Sequence, residues 1–346
     1  MTLALDRLDA AIAPLPRVSL GTWPTPLVRL PRLGRALGID LWLKRDECSG
    51  LALGGNKARK LEFVLGAAVA DGATSVVTAG PLTSNHTMMT AAAARRLGLD
   101  VHVVLGGTPP HTATGNLALT ELLGAHVYVT PMDPVDPSVD DFAASRALCE
   151  RLTRDTNSTW IPPGATMPAS VPGYAACVGE IVGQCDGEWP FDDVVTAYGT
   201  GSTSAGLLAG LALIGSAATV HAVAVSARPA LERFGAASPE SLAQAAVDTY
   251  RWPITLADSP ARSNWVRPPG EPGYAVATPA SGEAMTRFAR DEGYLLDPTY
   301  TAKAAAALMG MCADGRIARG SRVLFVHTGG LSTTAAATSH AHSPTP

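Results

Sequence analysis

Gly54-Gly55-Asn56-Lys57-Ala58-Arg59-Lys60-Leu61-Glu62-Phe63 is a stretch in which a loop turns into a helix. Before it, the apolar run Leu41-Trp42-Leu43-Lys44 reads as a strand. After it, Leu61, Phe63, Val64, Leu65 and Ala68 recur at helical spacing. Lys57, Arg59 and Lys60 crowd the first turn, where the helix macrodipole disfavours cations and acids are the expected residues. A lysine at a helix start with cationic neighbours is expected to have a lowered pKa, leaving more free amine to act as a nucleophile. On spacing alone the competing reading is a solvated basic turn, the commoner fate of lysines.

Outward from this stretch the chain alternates between strand and helix. Residues 75–78, 101–105, 127–129, 159–161, 193–197, 220–225 and 323–326 read as strands. Helices are predicted at about 58–70, 87–97, 116–123, 141–154, 174–186, 205–213, 281–291 and 301–313. Continuous apolar strands separated by helices predict parallel sheets covered on both faces, an α/β fold. Residues 131–140 are rich in Pro and Asp and read as a loop, and 162–173 as a Pro/Gly-rich crossing. Residues 228–272, with prolines at 229, 239, 253, 260, 268, 269 and 272, are the least readable part, and 339–346 read as a disordered tail.

At 346 residues the chain is long for one core, and about two domains is the expectation from length. With 47% hydrophobic and only 16% charged residues, a large core is available and disorder is not expected. A net charge of -4 without blocks of like charge argues against nucleic acid or an anionic membrane as partner. The 5 cysteines are dispersed without a C-x-x-C pair, which fits a reducing compartment better than a disulfide framework. The first sixteen residues carry Asp6 and Asp9 and no basic region of a secretory signal, and no apolar run reaches the ~18 residues of a membrane span. A soluble cytoplasmic protein is the expectation.

Three further places carry candidate chemistry. Gly199-Thr200-Gly201-Ser202-Thr203-Ser204-Ala205-Gly206 lies between a buried-type strand and a helix, so glycine amides, hydroxyls and a helix N-terminus converge as in a phosphate cradle. A dinucleotide site would want a third glycine where Ser204 stands and an acid ending the next strand, 221–226, which has none; a Walker loop would want a lysine. The loop therefore suits a single phosphate, or is a tight turn without a ligand. Ser84-Asn85-His86 follows a strand, at the edge where open α/β sheets bind ligands, and is equally an ordinary N-cap. Asp297-Pro298-Thr299-Tyr300-Thr301 and His327-Thr328-Gly329-Gly330 are weak alone, and His340 and His342 in the tail do not amount to a metal site.

In this order, the pieces resemble the pyridoxal-phosphate enzymes of the tryptophan-synthase-β type (fold type II), in the branch of D-cysteine desulfhydrase and 1-aminocyclopropane-1-carboxylate deaminase. The resemblance runs from Pro24-Thr25-Pro26-Leu27 to His327-Thr328-Gly329-Gly330. Its most specific piece is Gly55-Asn56-Lys57-x-Arg59-Lys60-Leu61-Glu62, supported by Ser84-Asn85-His86, Gly115-Asn116, Thr200-Gly201-Ser202-Thr203 and Asp297-Pro298-x-Tyr300. It implies that Lys57 holds pyridoxal 5'-phosphate as a Schiff base and later moves protons. Thr200, Gly201, Ser202 and Thr203 would grip the phosphate and Asn85 would lie near the ring hydroxyl. Ser84, with Asn85 and His86, would take the substrate carboxylate. Tyr300 and, less securely, Tyr274 match active-site tyrosines.

Thr301 stands where the deaminases of this branch carry a Glu near the pyridine nitrogen, and His86 and Thr328 follow the desulfhydrase pattern. This implies α,β-elimination of a β-substituted amino acid, to pyruvate, ammonia and a leaving group, rather than cyclopropane opening. Cysteate sulfo-lyase, β-replacement and an inactive cofactor-binding or sensing protein are the alternatives. The segments Thr83-Ser84-Asn85-His86-Thr87-Met88-Met89 and Ala165-Thr166-Met167-Pro168 depart from the family pattern and are expected to line an altered substrate side. The resemblance further implies a homodimer and no metal. The predicted architecture is two domains, each an open twisted mostly parallel sheet with helices on both faces. The larger comprises 1–57 and 169–346, the smaller 58–168, with the cofactor in the cleft between them.

Overall fold

The computed structural model of the chain describes residues 3–131, 143–226, 232, 236–270 and 273–332. In chain order the elements are α1 (Leu3–Ile12), β1 (Leu27–Arg29), α2 (Pro31–Leu37), β2 (Asp40–Arg45), α3 (Lys57–Ala70), β3 (Ser75–Pro81), α4 (Asn85–Arg96), β4 (Asp100–Gly106), α5 (Gly115–Leu122), β5 (His126–Thr130) and α6 (Ala143–Asp155). They continue with β6 (Thr159–Ile161), α7 (Val171–Gln184), β7 (Asp193–Tyr198), α8 (Ser202–Ile214), β8 (Thr219–Ala224), α9 (Pro239–Tyr250), β9 (Arg262–Val266), α10 (Pro279–Arg287), α11 (Thr301–Ala313) and β10 (Arg322–His327).

The strands form two sheets. A 4-stranded sheet runs β5-β4-β3-β6, parallel throughout, and all of its strands lie between residues 58 and 168. A 6-stranded sheet runs β1-β2-β10-β7-β8-β9, in which only β1 is antiparallel. Strand side chains alternate between faces, and each strand that is apolar on both has helices over both. In β10, Leu324 and Val326 enter the cluster made with α1, α7, α8 and α9, whereas Val323 and Phe325 enter the one made with α2, α10 and α11. In the smaller sheet, Val76, Val101 and Val103 pack with α3, α4 and α5, and Val77 and Val104 with α6.

The segment 228–272 holds more order than its prolines indicate. Pro239 occupies a first-turn position of α9, where a missing N–H costs nothing, and the Ser238 side chain accepts the Ser241 N–H as an N-cap. That Ser-Pro pair was the legible signal. β9 had none, because an exposed edge strand reading Arg-Ser-Asn-Trp-Val carries no apolar run. The helix expected over 281–291 begins earlier, at a capping box on Thr278, and ends in a π-helical turn at Phe288–Glu292. The expected tail 339–346, with His340 and His342, lies outside the described residues, as does most of the loop at 131–140. Among the described residues all five cysteines are free, none of the helices is long and apolar enough to cross a membrane, and no metal-holding cluster occurs.

Candidate active site

The start of α3 is held where the two sheets meet. Gly54 has a φ of 76°, and a Cβ there would come within 1.8 Å of the Glu47 carbonyl oxygen, so the loop can run this close only as glycine. The Gly55 N–H donates to the Asp46 carbonyl (2.8 Å) and the Asn56 N–H to the Thr328 carbonyl (3.0 Å), tying the helix start to the ends of β2 and β10. α7 then packs close against it, a Cβ on Gly173 falling 2.3 Å from the Arg59 carbonyl oxygen.

The crowded cations divide into two kinds. Arg59 is buried and paired, its guanidinium reaching both oxygens of Asp46 (2.8 and 2.9 Å) and both of Glu180 (2.9 and 3.0 Å), with Trp23 stacked 4.1 Å away. Tyr174 donates to Asp46, and Lys44 donates to Glu180. Burial alone would raise the Asp46 pKa, but the Arg59 charge and hydrogen bonds, helped by Tyr174 and Lys44, hold it below the usual carboxylate range. Lys57 and Lys60 instead face a cavity. The turn is therefore no solvated basic turn.

Lys57 donates to the Asn56 carboxamide oxygen (2.8 Å), and burial lowers its pKa to about 8 against the opposing pull of Asp297. The expected cause, neighbouring cations, is thus corrected: desolvation lowers Lys57, and Arg59's charge is spent on its carboxylates. Lys60, only 3% exposed, is the residue that feels a like charge. Burial first, and Lys57 second, push it well below the usual lysine value.

The cavity lies at the carboxyl ends of strands from both sheets, where open α/β folds place ligands. From the smaller sheet come Gly80, Ser84, Asn85 and His86; from the larger come Gly199, Thr200, Gly201, Thr203, Ser204, Tyr274, Tyr300 and Thr328. Its described lining has two lysines, a histidine, two tyrosines and several hydroxyls, and neither Asp nor Glu. Such a wall suits an anionic occupant.

One end of the cavity is built by the β7–α8 loop. Gly201 sits at a φ of 104° as N-cap of α8, leaving the first-turn N–H groups without helical acceptors. Thr203 Oγ1 accepts from Asn56 Nδ2 (2.9 Å), and Ser204 Oγ is buried without a partner among the described residues. Ser202 does not line the cavity with its side chain; its hydroxyl donates to the Gly164 carbonyl (3.3 Å). A Cβ on Gly201 would meet the Ala237 carbonyl oxygen at 2.3 Å. Gly201→Ala is therefore expected to strain this loop by about 1–3 kcal/mol, weakening capture of a phosphate-bearing ligand roughly tenfold in a fluorescence titration.

At the other end, Ser84 is the N-cap of α4, its Oγ accepting the Thr87 N–H (3.3 Å). Both readings of this turn thus coincide, since the capping serine also lines the cavity. Asn85 Oδ1 accepts from Asn116 Nδ2 (2.8 Å). His86 shares a hydrogen bond with Thr78 Oγ1 through Nε2 (2.8 Å), and its buried Nδ1 has no partner among the described residues. Burial, then Lys57 and Lys60, lower its pKa well below the usual histidine value, so it is neutral. The hydroxyls of Tyr274 and Tyr300 lie 2.5 Å apart, and burial raises the Tyr274 pKa to about 12 and holds that of Tyr300 well above the usual tyrosine value.

Not every expected residue reaches the cavity. Thr301 is fully buried and its hydroxyl is spent on Asp297, donating to Oδ1 (2.7 Å) and accepting the Asp297 N–H (2.8 Å). Met88 and Met89 pack into the core of the smaller sheet, and Ala165, Thr166 and Met167 are likewise absent from the cavity lining, which Pro163 and Gly164 reach instead. Thr83 of the first atypical run does reach the site, through a hydrogen bond to Tyr274, whereas Met88, Met89 and the run 165–168 do not line the cavity. At 88–89 the apolar residues are core, placed there by the helical period.

Sequence reasoning also missed residues. Asn56 joins Lys57 to Thr203, and Asp297 accepts the N–H groups of Thr299, Tyr300 and Thr301 through its side chain while drawing on Lys57's charge. Gly164 also lines the cavity, beside Lys60 and Ser204 from the two stretches already read as candidate chemistry. Asn56 was legible only as a member of the Gly55-Asn56-Lys57 motif, without a role of its own.

Over residues 18–329 the chain matches the family described as pyridoxal-phosphate dependent enzyme. It belongs to that family. It is 35% identical over 332 residues to a Pyrococcus horikoshii protein provisionally named 1-aminocyclopropane-1-carboxylate deaminase, covering 95% of this chain and 96% of that one. It is also 35% identical over 324 residues to D-cysteine desulfhydrase of Salmonella typhi, covering 91% and 94%. A solved structure of an "ACC deaminase homologue" superposes with a TM-score of 0.82 at 32% identity, covering 96% of this chain and 97% of that one.

As a pyridoxal-phosphate dependent enzyme the chain has a wall that fits its cofactor. The buried and unpartnered Ser204 hydroxyl, the glycine-capped start of α8 and the acid-free lining suit the phosphate. Lys57, with a pKa of about 8, supplies an amine for the aldehyde.

Proposed function

We propose that this enzyme is a lyase that eliminates the β-substituent of a small β-substituted amino acid, as D-cysteine desulfhydrase does. With cysteine and water the products are pyruvate, ammonia and sulfide. The observation that carries this reading is the missing carboxylate. The described cavity lining has none, and Thr301, which stands where the deaminases carry a Glu, has a hydroxyl committed to Asp297. Without a carboxylate to keep its ring nitrogen protonated, the bound cofactor is a moderate electron sink for the substrate's Cα, enough to expel a good leaving group.

The chain's own residues divide the rest. Thr200, Gly201 and Thr203, with the Ser202 amide, hold the phosphate, and Ser204 and Lys60 add a hydroxyl and an amine. Ser84 and the first amides of α4 hold the substrate carboxylate, with Asn85 beside the ring and neutral His86 behind it. Lys57, released by the substrate amine, takes the Cα proton. Tyr274 and Tyr300 stay protonated at neutral pH, so their shared hydrogen-bonded pair can donate to the departing β-substituent. Opening of the cyclopropane amino acid is the second reading, favoured by relatives of both names at equal identity.

An absorption spectrum with and without borohydride, then a panel of D- and L-β-substituted alanines and the cyclopropane amino acid, decides between them. Pyruvate from the alanines supports elimination, whereas 2-oxobutanoate from the cyclopropane substrate alone replaces it with deamination. Bound cofactor without any product would mark a binding protein. Cofactor capture by the free protein is expected to rise with pH, half-maximal near pH 8, because only deprotonated Lys57 reacts. A flat profile between pH 7 and 9 would contradict that assignment of the amine.

A further inference from the structure

Lys303 lies in the first turn of α11, three residues beyond Tyr300, and is 1% exposed. Its ammonium donates to two main-chain carbonyls from separate segments, Val225 just past the end of β8 (2.7 Å) and Gly273 (2.9 Å). The Val225 end is rigid, since its N–H donates to the Tyr198 carbonyl (3.0 Å) at the end of β7. The Gly273 end is a tight turn, closed by the Val276 N–H on the same Gly273 carbonyl (3.2 Å).

That turn carries Tyr274, which packs on the core shared by α10 and α11 and hydrogen-bonds Tyr300 and Thr83, while the rest of the turn is exposed. Gly273 and Ala275 are exposed, Val276 is 54% exposed, and Ala275 holds a φ of 60° that a residue with a Cβ rarely adopts. Yet Tyr274 meets Tyr300 with hydroxyls 2.5 Å apart and rings edge-on at 78°. A lysine buried for two carbonyls is costly unless the placement matters.

We propose that Lys303 is the positioning residue of the tyrosine pair, pinning the Gly273–Val276 turn to the end of β8 and so setting the Tyr274 hydroxyl against that of Tyr300. α11 carries Tyr300 at its N-cap and Lys303 in its first turn, so one helix end fixes both partners. The catalytic consequence rests on the proposed function, in which that pair donates a proton; the structural tie does not.

The test is Lys303→Met, which keeps the apolar stem and removes the donors. In the substrate-free protein, amide exchange of a peptide spanning 273–278 is expected to speed by about tenfold or more, with exchange in β8 unchanged. Borohydride capture at Lys57 should be retained. For a substrate of the panel, kcat should fall about tenfold with KM moving less than about threefold. In a Tyr274→Phe background the same change should cost less than about threefold more, because the two residues act as one unit. Lys303→Gln, which can reach one carbonyl only, should fall between Met and wild type, and it takes the place of Lys303→Met if that variant does not fold. Unchanged exchange at 273–278, or equal losses in both backgrounds, would overturn the proposal. If wild type turns over none of the amino acids, the proposed function fails while the exchange result still decides the tie.

Discussion

Lys57→Ala is expected to bind cofactor only non-covalently, and its turnover should fall by ~10²–10⁴ or more, the range for losing a positioned proton-transfer group. The fold should survive, because the ammonium makes its side-chain hydrogen bond to the adjacent Asn56 alone among the described residues. Peptide mass mapping after borohydride reads the result directly: the reduced adduct sits on Lys57 in wild type and is absent from the variant. Lys60 complicates the picture in a useful way. Its pKa is held down partly by Lys57, so removing that charge makes Lys60 easier to protonate and a poorer substitute nucleophile. Residual adduct on Lys60 should therefore need a higher pH than it would with Lys57 present, and a reduced adduct found on Lys60 rather than Lys57 in wild type would sink the assignment of Lys57.

The second large effect is on stability. Arg59→Ala leaves Asp46 at 0% exposure and Glu180 largely buried without their main cation, and breaking a buried pair on one side costs about 3–5 kcal/mol. Urea unfolding is expected to show a correspondingly lower midpoint. The pH dependence should change sign as well. In wild type the Asp46 and Glu180 pKa values are lowered by their partners despite burial, so their stabilisation is present above the unfolded carboxylate range and lost as pH falls through the folded values. In Arg59→Ala the buried Asp46 is easier to protonate, so mild acid should relieve part of the loss. A midpoint within error of wild type, or one that falls in parallel with wild type on acidification, would show that the hub does not hold α3 in place.

The sequence was informative wherever one physical constraint acts locally. Two-sided apolar strands at 193–197 and 323–326 required helices on both faces, and they have them. The glycines at 199 and 201 marked a loop between strand and helix, and Gly201 caps α8 in the left-handed region. The crowding of Lys57, Arg59 and Lys60 against the macrodipole correctly marked an unusual helix start, although its cause was misassigned. Edge strand β9 and the Thr301 hydroxyl were illegible for one reason: each is defined by a neighbour distant in the chain or by a turn whose hydrogen bonds sequence does not display.

From the chain alone came the alternating α/β pattern, the anion cradle, the candidate lysine and the family resemblance, all set by local period, glycine conformation and residue order. Which cations are paired and which face the cavity was decided only by tertiary structure. Asp46 and Glu180 arrive at Arg59 from 13 and 121 residues away and pair with it, while Lys57 and Lys60 line the cavity. Burial acts through three-dimensional neighbours, and it is burial that brings Lys57 to about 8.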